Sequence, residues 1–504
     1  MKNLYLLLIL ISTSLLSQNS EMGPEIKYSD EKFFDKAVGY DKTGFYCLRF
    51  NTEGKGRNYF LMCYNRATLE QTKSIPLGMR FTQYDRDNYS IKPGIPAKLI
   101  LTSFVKDGKY IEYSQVFYEE KGLLQLVLNV YNTTSGEQTQ TDKILGETSC
   151  SVAGMYIDKF VVVPNYDSTK VLLVLQTLEN TNPVANCQLI NLENSSKIWE
   201  KKITGIGASG IVSTCHQVDE NENLYYFFLQ RNDSKVITNT GIATILKNES
   251  QPKVLAEKLA TSGSVYCPSM TYIKEDNAVY CFYNTSNELK AGFYYAKIKN
   301  GKLEFSDNYS FPDKVMGKLF CPTSGNQKER NSFTPVKFFK INGSYFLTSH
   351  IELYYTIEGR RSRWAENINV CKLSTSGTIE WHSVLPYDGS HNLVPNIDHN
   401  DITDISIFKR DDKLSFVFID HPKNGKANPD PNNFDVCKIK GIGTYANTNV
   451  LMLSVDNTGL IYSKNLFLNE DTWLIPGSPA LKNSDDNLII RGKKGKTEFF
   501  KVVK

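Results

Sequence analysis

Three groups of side chains in this 504-residue chain are of types that could do chemistry. The first is cationic: Arg80, Arg86, Lys328, Arg330, Arg360, Arg361 and Arg363, with Trp364 beside the last. A guanidinium fork recognises carboxylate or phosphate in a bidentate manner, and an indole ring can stack on a sugar or an aromatic ligand. The same residues also read as a solvated charged loop. The second group gathers Asp388, His391, Asp398, His399, Asp401 and Asp404 within 17 residues. Imidazoles beside carboxylates suit acid–base work, yet the spacing matches no metal-ligand motif, and Asp-rich loops are also made for turns. Glu329 with Asp398 and Asp401 offers a carboxylate pair for glycoside chemistry, which depends on a separation that sequence does not fix.

The elements that must position these residues are repeated. An apolar stretch, a tight acidic or Asn-containing turn and an apolar strand recur eight times, centred on Asp41, Asp107, Asp167, Glu220, Asp276, Asn342, Asp411 and Asp485. Gly-Tyr-Asp-Lys-Thr-Gly-Phe at 39–45 and Phe-Lys-Ile-Asn-Gly-Ser-Tyr at 339–345 are clear copies. Each turn leads into an apolar run such as 171–176, 224–230 or 414–420, then a polar loop and a third strand, as at 59–64, 368–373 or 435–439. A second Asx-Gly or Ser-Gly turn comes next, as at 374–385 and 455–466, opening a fourth strand of alternating polarity. Such turns between alternating strands signal hairpins. The turn centres lie 53 to 74 residues apart, with no helical periodicity between them.

Four-stranded meanders at that spacing resemble the blades of a β-propeller. Two or three β-sandwiches would not repeat one meander eight times with its turn chemistry in place. The resemblance covers residues 23–504 and implies an all-β fold of four-stranded antiparallel blades, eight of them, or seven if a terminal unit is degenerate. Only 19 residues lie beyond Asp485, enough for second and third strands at 488–492 and 497–503. The segment 23–29 is expected to complete that last blade and close the ring, removing two open edges. No subfamily emerges. The repeated Ser-x-Asp-x-Gly-x-Thr-Trp of sialidases is absent, and four tryptophans are too few for a quinoprotein girdle. The Trp-Asp dipeptide of another large propeller group and a Gly-x-Ser-x-Gly elbow are missing too.

In such a meander the first-to-second and third-to-fourth turns share one face, and here they are short. The long connections, 78–96, 312–334 and 386–401 between blades and 354–367 and 421–433 within them, all fall on the other. Long loops on a compact scaffold usually carry function, so the binding residues are expected there: Arg80, Arg330, Arg360, Arg361, Arg363, Trp364, His391, His399 and Asp401.

Residues 1–17 read as a signal peptide: Lys2, an apolar run from Leu4 to Leu16, then Ser17. The run is short of the roughly 20 residues that span a bilayer. The expectation is an exported single-domain protein, 18–504, secreted or periplasmic and monomeric. A net charge of +4 with interleaved signs leaves no footprint for nucleic acid. Ten cysteines in an oxidising compartment permit bridges. Cys47 and Cys63, either side of the loop 51–58, are the best candidate pair, although buried thiols acting as small core residues are an equal alternative. No metal motif, cofactor motif or catalytic motif is present. The expected role is a module binding an extracellular protein or glycan. The alternative is a hydrolase or lyase on a polysaccharide or ester, using the loop from His391 to Asp401.

Overall fold

A computed structural model describes residues 20–22, 26–27, 33–53, 56–80, 97–149, 160–179, 182–204, 211–231, 237–257, 264–286, 291–319, 332–333, 337–357, 360–388, 405–427, 430–434, 448–469, 472–475, 481–482, 488–494 and 497–503. Seven meanders of consecutive strands succeed one another along the chain, and both ends of the chain combine in an eighth sheet. Blade 1 shows the pattern: Phe33–Tyr40, Phe45–Glu53, Gly56–Tyr64 and Gln71–Arg80 pair in that order. Blades 2 to 7 occupy 97–149, 160–203, 211–257, 264–310, 332–388 and 406–469.

Eight apolar clusters bind these sheets into a closed ring, each joining two neighbours. Val38, Leu48 and Leu61 of blade 1 meet Tyr110 and Tyr131 of blade 2, and the pattern continues through blades 2–3, 3–4, 4–5, 5–6 and 6–7. Val417 and Val450 of blade 7 pack on Ile490 and Phe499 of blade 8, whose Ile489 and Phe500 pack on Phe45 and Met62 of blade 1. The protein is a β-propeller. Because each blade is covered on both faces, its central strands are buried along their length: Tyr110 to Phe117 is buried at every position, its polar Glu112, Ser114 and Gln115 included. The outer strand, with one edge in water, alternates, as in Gln138–Ser149.

Blade 8 is closed by the N-terminal end of the chain, through Ser20–Met22 and Ile26–Lys27 against the expected strand at 23–29. Leu488–Lys494 and Thr497–Val503 form its second and third strands, and Thr472–Ile475 with Leu481–Lys482 form the inner edge. The outer edge comes from the other end of the chain, where Ser20 pairs with Val503 and Ile26 with Glu498. Among the described residues no helix is long and apolar enough to cross a membrane.

Three expectations are corrected. Cys47 and Cys63 do not face each other: Cys47 pairs with Met62, and Tyr46 pairs with Cys63. An offset of one residue sends side chains to opposite faces of a pleated sheet. Cys47 therefore packs towards blade 8 and Cys63 towards blade 2. In blade 7 the third strand is Thr448–Val455 rather than 435–439, which lies outside the described residues. The segment 354–367 is not a loop; both its sides continue a β-ladder.

Burial pushes the Cys63, Cys187 and Cys215 thiols up to about 12, and Cys281 and Cys371 well above the ordinary thiol range. Protonated, enclosed thiols are poor nucleophiles. Cys187, Cys281 and Cys371 in the native protein are therefore predicted to escape labelling by an aromatic disulfide reagent until denaturant unfolds the ring. Rapid labelling at any of the three in native buffer, located by peptide mass mapping, would refute this.

Candidate functional site

The two faces of the ring differ in what their side chains are committed to. On the short-turn face an aspartate at the turn takes up a tyrosine hydroxyl from the next strand. Tyr46 donates to Asp41 (3.0 Å), Tyr225 to Asp219 (2.9 Å) and Tyr280 to Asp276 (3.0 Å). These locks reach into the next blade. The Gly301 amide of blade 5 donates to the Tyr225 hydroxyl of blade 4, and Tyr345 and Lys340 of blade 6 both bond Asp276 of blade 5 (2.8 and 2.6 Å). Trp199 of blade 3 donates to the Glu222 carbonyl of blade 4, and Trp381 of blade 6 to the Asn457 carbonyl of blade 7 (3.0 Å each). The Lys201 ammonium, almost fully buried, is held by the carbonyls of Leu246, Lys247 and Glu249. Much of this face is occupied in holding neighbouring blades together.

On the opposite face blade 6 carries a projecting ribbon. Its second and third strands, Ser344–Ile357 and Arg360–Leu373, are 14 residues each and the longest of the described strands. They stay in register to the pair Ile357–Arg360. The described parts of the flanking strands reach Ser332, opposite Glu352, and Asp388, opposite Glu366. From Leu353–Trp364 to Ile357–Arg360, five residue pairs have no flanking strand among the described residues. At about 3.3 Å per residue these five pairs make roughly 16 Å of two-stranded ladder.

The root of the ribbon is fixed by Asn367. His350 pairs with Ile368 and Ile351 with Glu366, so Asn367 is the extra residue of a β-bulge, a device that bends a strand and re-aims the residues beyond it. Its side chain is 3% exposed. The amide donates to the Lys318 carbonyl (2.7 Å) at the end of α1 (Asp313–Leu319), and its oxygen accepts from the Tyr387 amide (3.0 Å). The ribbon thus stands on a helix and on the last strand of its own blade. Nothing in the sequence marks this asparagine, since its role depends on a one-residue mismatch between two strands.

The expected site residues fall into three sets. Arg360, Arg361, Arg363 and Trp364 lie on the ribbon, in strand rather than loop. Arg330, His391, His399 and Asp401 lie outside the described residues, as do Arg86, Lys328, Glu329, Asp398 and Asp404. Arg80 ends the outer strand of blade 1 and points inward, 6% exposed. Its Nε donates to Glu112 Oε1 of blade 2 (2.9 Å), and Glu112 is wholly buried. Ser114 donates to the same oxygen (2.8 Å) and Tyr110 to the other (3.3 Å). Burial opposes the charge on Arg80, but the Glu112 carboxylate beside it outweighs that and holds the guanidinium pKa above its ordinary value. Arg80 is therefore a structural partner between blades. Among the described residues no group of three His, Cys, Asp or Glu side chains could hold a metal ion.

By sequence, no protein family and no curated protein matches the chain. By structure it is similar to dipeptidyl peptidase 4 of Porphyromonas gingivalis, with a TM-score of 0.40 and 9% identity over 96% of this chain and 60% of that one. The chain thus spans about three fifths of that peptidase's length. It is also similar to the WD40 domain of SCAP from fission yeast, with a TM-score of 0.38 and 11% identity over 96% and 98% of the two chains. A polysaccharide lyase of the PL25 ulvan lyase family gives 0.38 and 9% identity over 80% and 91%. No activity transfers at such identities.

Proposed function

We propose that the protein is an exported binding module that engages a protein or a glycan through the face bearing the blade 6 ribbon. One observation carries this reading: the second and third strands of blade 6 stay paired for five residue pairs past the described flanking strands, from a root held by Asn367. Among the described residues the other second strands are 7 to 10 residues long. The signal-like segment at 1–17 supports export.

The test is capture of ligands by the mature protein, from a glycan array and from extracellular extract. A variant in which residues 353–364 are replaced by a short Gly-Ser turn is expected to fold and to lose capture. Lys274→Ala, on the short-turn face, is expected to keep it. Undiminished capture by the ribbonless protein would overturn the reading, and retention of the full chain in the cytoplasm would overturn the exported part.

A further inference from the structure

The sequence from Leu353 to Trp364 carries Arg360, Arg361 and Arg363 against a single acid, with Tyr354, Tyr355 and Trp364 among them, and all six of these Arg, Tyr and Trp positions lie in the paired strands of the ribbon. The chain as a whole is close to neutral and its charges are interleaved, so a local excess of this kind marks what the ribbon suits. Register arranges these positions further. Tyr354 is opposite Arg363 and Thr356 opposite Arg361, while Leu353 is opposite Trp364 and Ile357 opposite Arg360. By the pleat, positions 361 and 363 share one face of the ribbon and 360 and 364 the other. Positions two apart on one strand are about 6.6 Å apart, so two guanidinium-bearing positions on one face are placed for a ligand that repeats its anionic groups.

We propose that the ribbon binds an anionic polysaccharide, one bearing carboxylate or sulfate groups along its length. The inference rests on the binding role proposed above and names its ligand. Arginine forks match the oxygens of carboxylate and of sulfate alike. The interleaved aromatic positions supply rings of the kind that stack on sugars. An acidic polypeptide would use the same charges but has no need of that aromatic content, and the root of each ribbon edge is already taken by another strand.

The experiment is affinity electrophoresis of the full chain in gels containing polygalacturonate, dextran sulfate or neutral dextran. Retardation is expected in at least one anionic gel and none in dextran, and the two anionic gels separate carboxylate from sulfate recognition. Attraction to the anion is expected to weaken as salt rises. The double variant Arg361→Ala/Arg363→Ala is expected to lose tenfold or more in affinity while its thermal midpoint stays put, because both positions lie beyond the described flanking strands. Equal retardation of the double variant, equal retardation in dextran, or no retardation at all would overturn the proposal. So would polyglutamate competing as well as the polysaccharide, which would assign an acidic polypeptide instead. If the anionic gels fail while the ribbonless protein still loses capture of some other ligand, only this inference falls and the binding role stands.

Discussion

Arg80→Ala is expected to destabilise the protein by about 3–5 kcal/mol, the cost of stranding a buried charge. The reason is asymmetry. Glu112 has no exposure to water, and among the described residues Arg80 supplies its ion-pair bond, at 2.9 Å. Ser114 and Tyr110 would remain as donors, but neither carries a charge. Lys98, near enough to feel both Arg80 and Glu112, is already engaged with Asp142. Replacing both partners, Arg80→Met with Glu112→Leu, is expected to cost much less than the single change, since nothing charged is then left inside. Urea midpoints of the two variants against the parent provide the check. A single variant as stable as the parent would mean that water reaches Glu112.

Asp276→Ala should be the second large effect, about 2–4 kcal/mol, because it leaves three donors without their acceptor. Lys340, Tyr345 and Tyr280 all converge on this carboxylate, and the first two come from the next blade. Burial alone would raise the Asp276 pKa. The bonds from Lys340, Tyr345 and Tyr280 outweigh it and hold the group below the ordinary carboxylate value. That direction gives the pH dependence its sign. A carboxylate whose folded pKa is depressed stabilises fully above its unfolded value, near 4, and loses that stabilisation as pH falls through the folded value. The difference in midpoint between parent and Asp276→Ala should therefore shrink on acidification below about pH 4. A constant difference from neutral pH down to acid would show that the ion pair is not its source.

How much of the fold and of the site was legible in the sequence depends on the distance between cause and effect along the chain. The turn aspartates were visible because each is tied to a residue a few positions away, as Asp41 is to Thr43 and Gly44. The closing strand was visible because blade 8 runs out of chain before its fourth strand. The reach of Tyr345 to Asp276, 69 residues back, left no trace, since a tyrosine at the head of a strand looks the same whichever blade it bonds. Register was lost for a related reason. Cys47 and Cys63 are symmetrical about the loop 51–58 only to within one residue, and one residue decides the face. For the candidate site, the sequence located the arginines of 360–363 but took strand for loop. A run with Tyr, Thr, Ser and Arg and few small apolar residues does not reveal that its backbone stays paired.

The sheet shared by the two ends sets an order of events. Blades 1 to 7 are each built from neighbouring strands and can form as they are synthesised, with contacts of short range. Ser20 cannot meet Val503 until almost every residue between them has been made. Until then blades 1 and 7 present uncovered apolar faces, Phe45 and Met62 on one side and Val417 and Val450 on the other. The nascent ring is an open spiral with two adhesive ends for most of its synthesis, and its exposure to aggregation is set by the time taken to make the last few dozen residues.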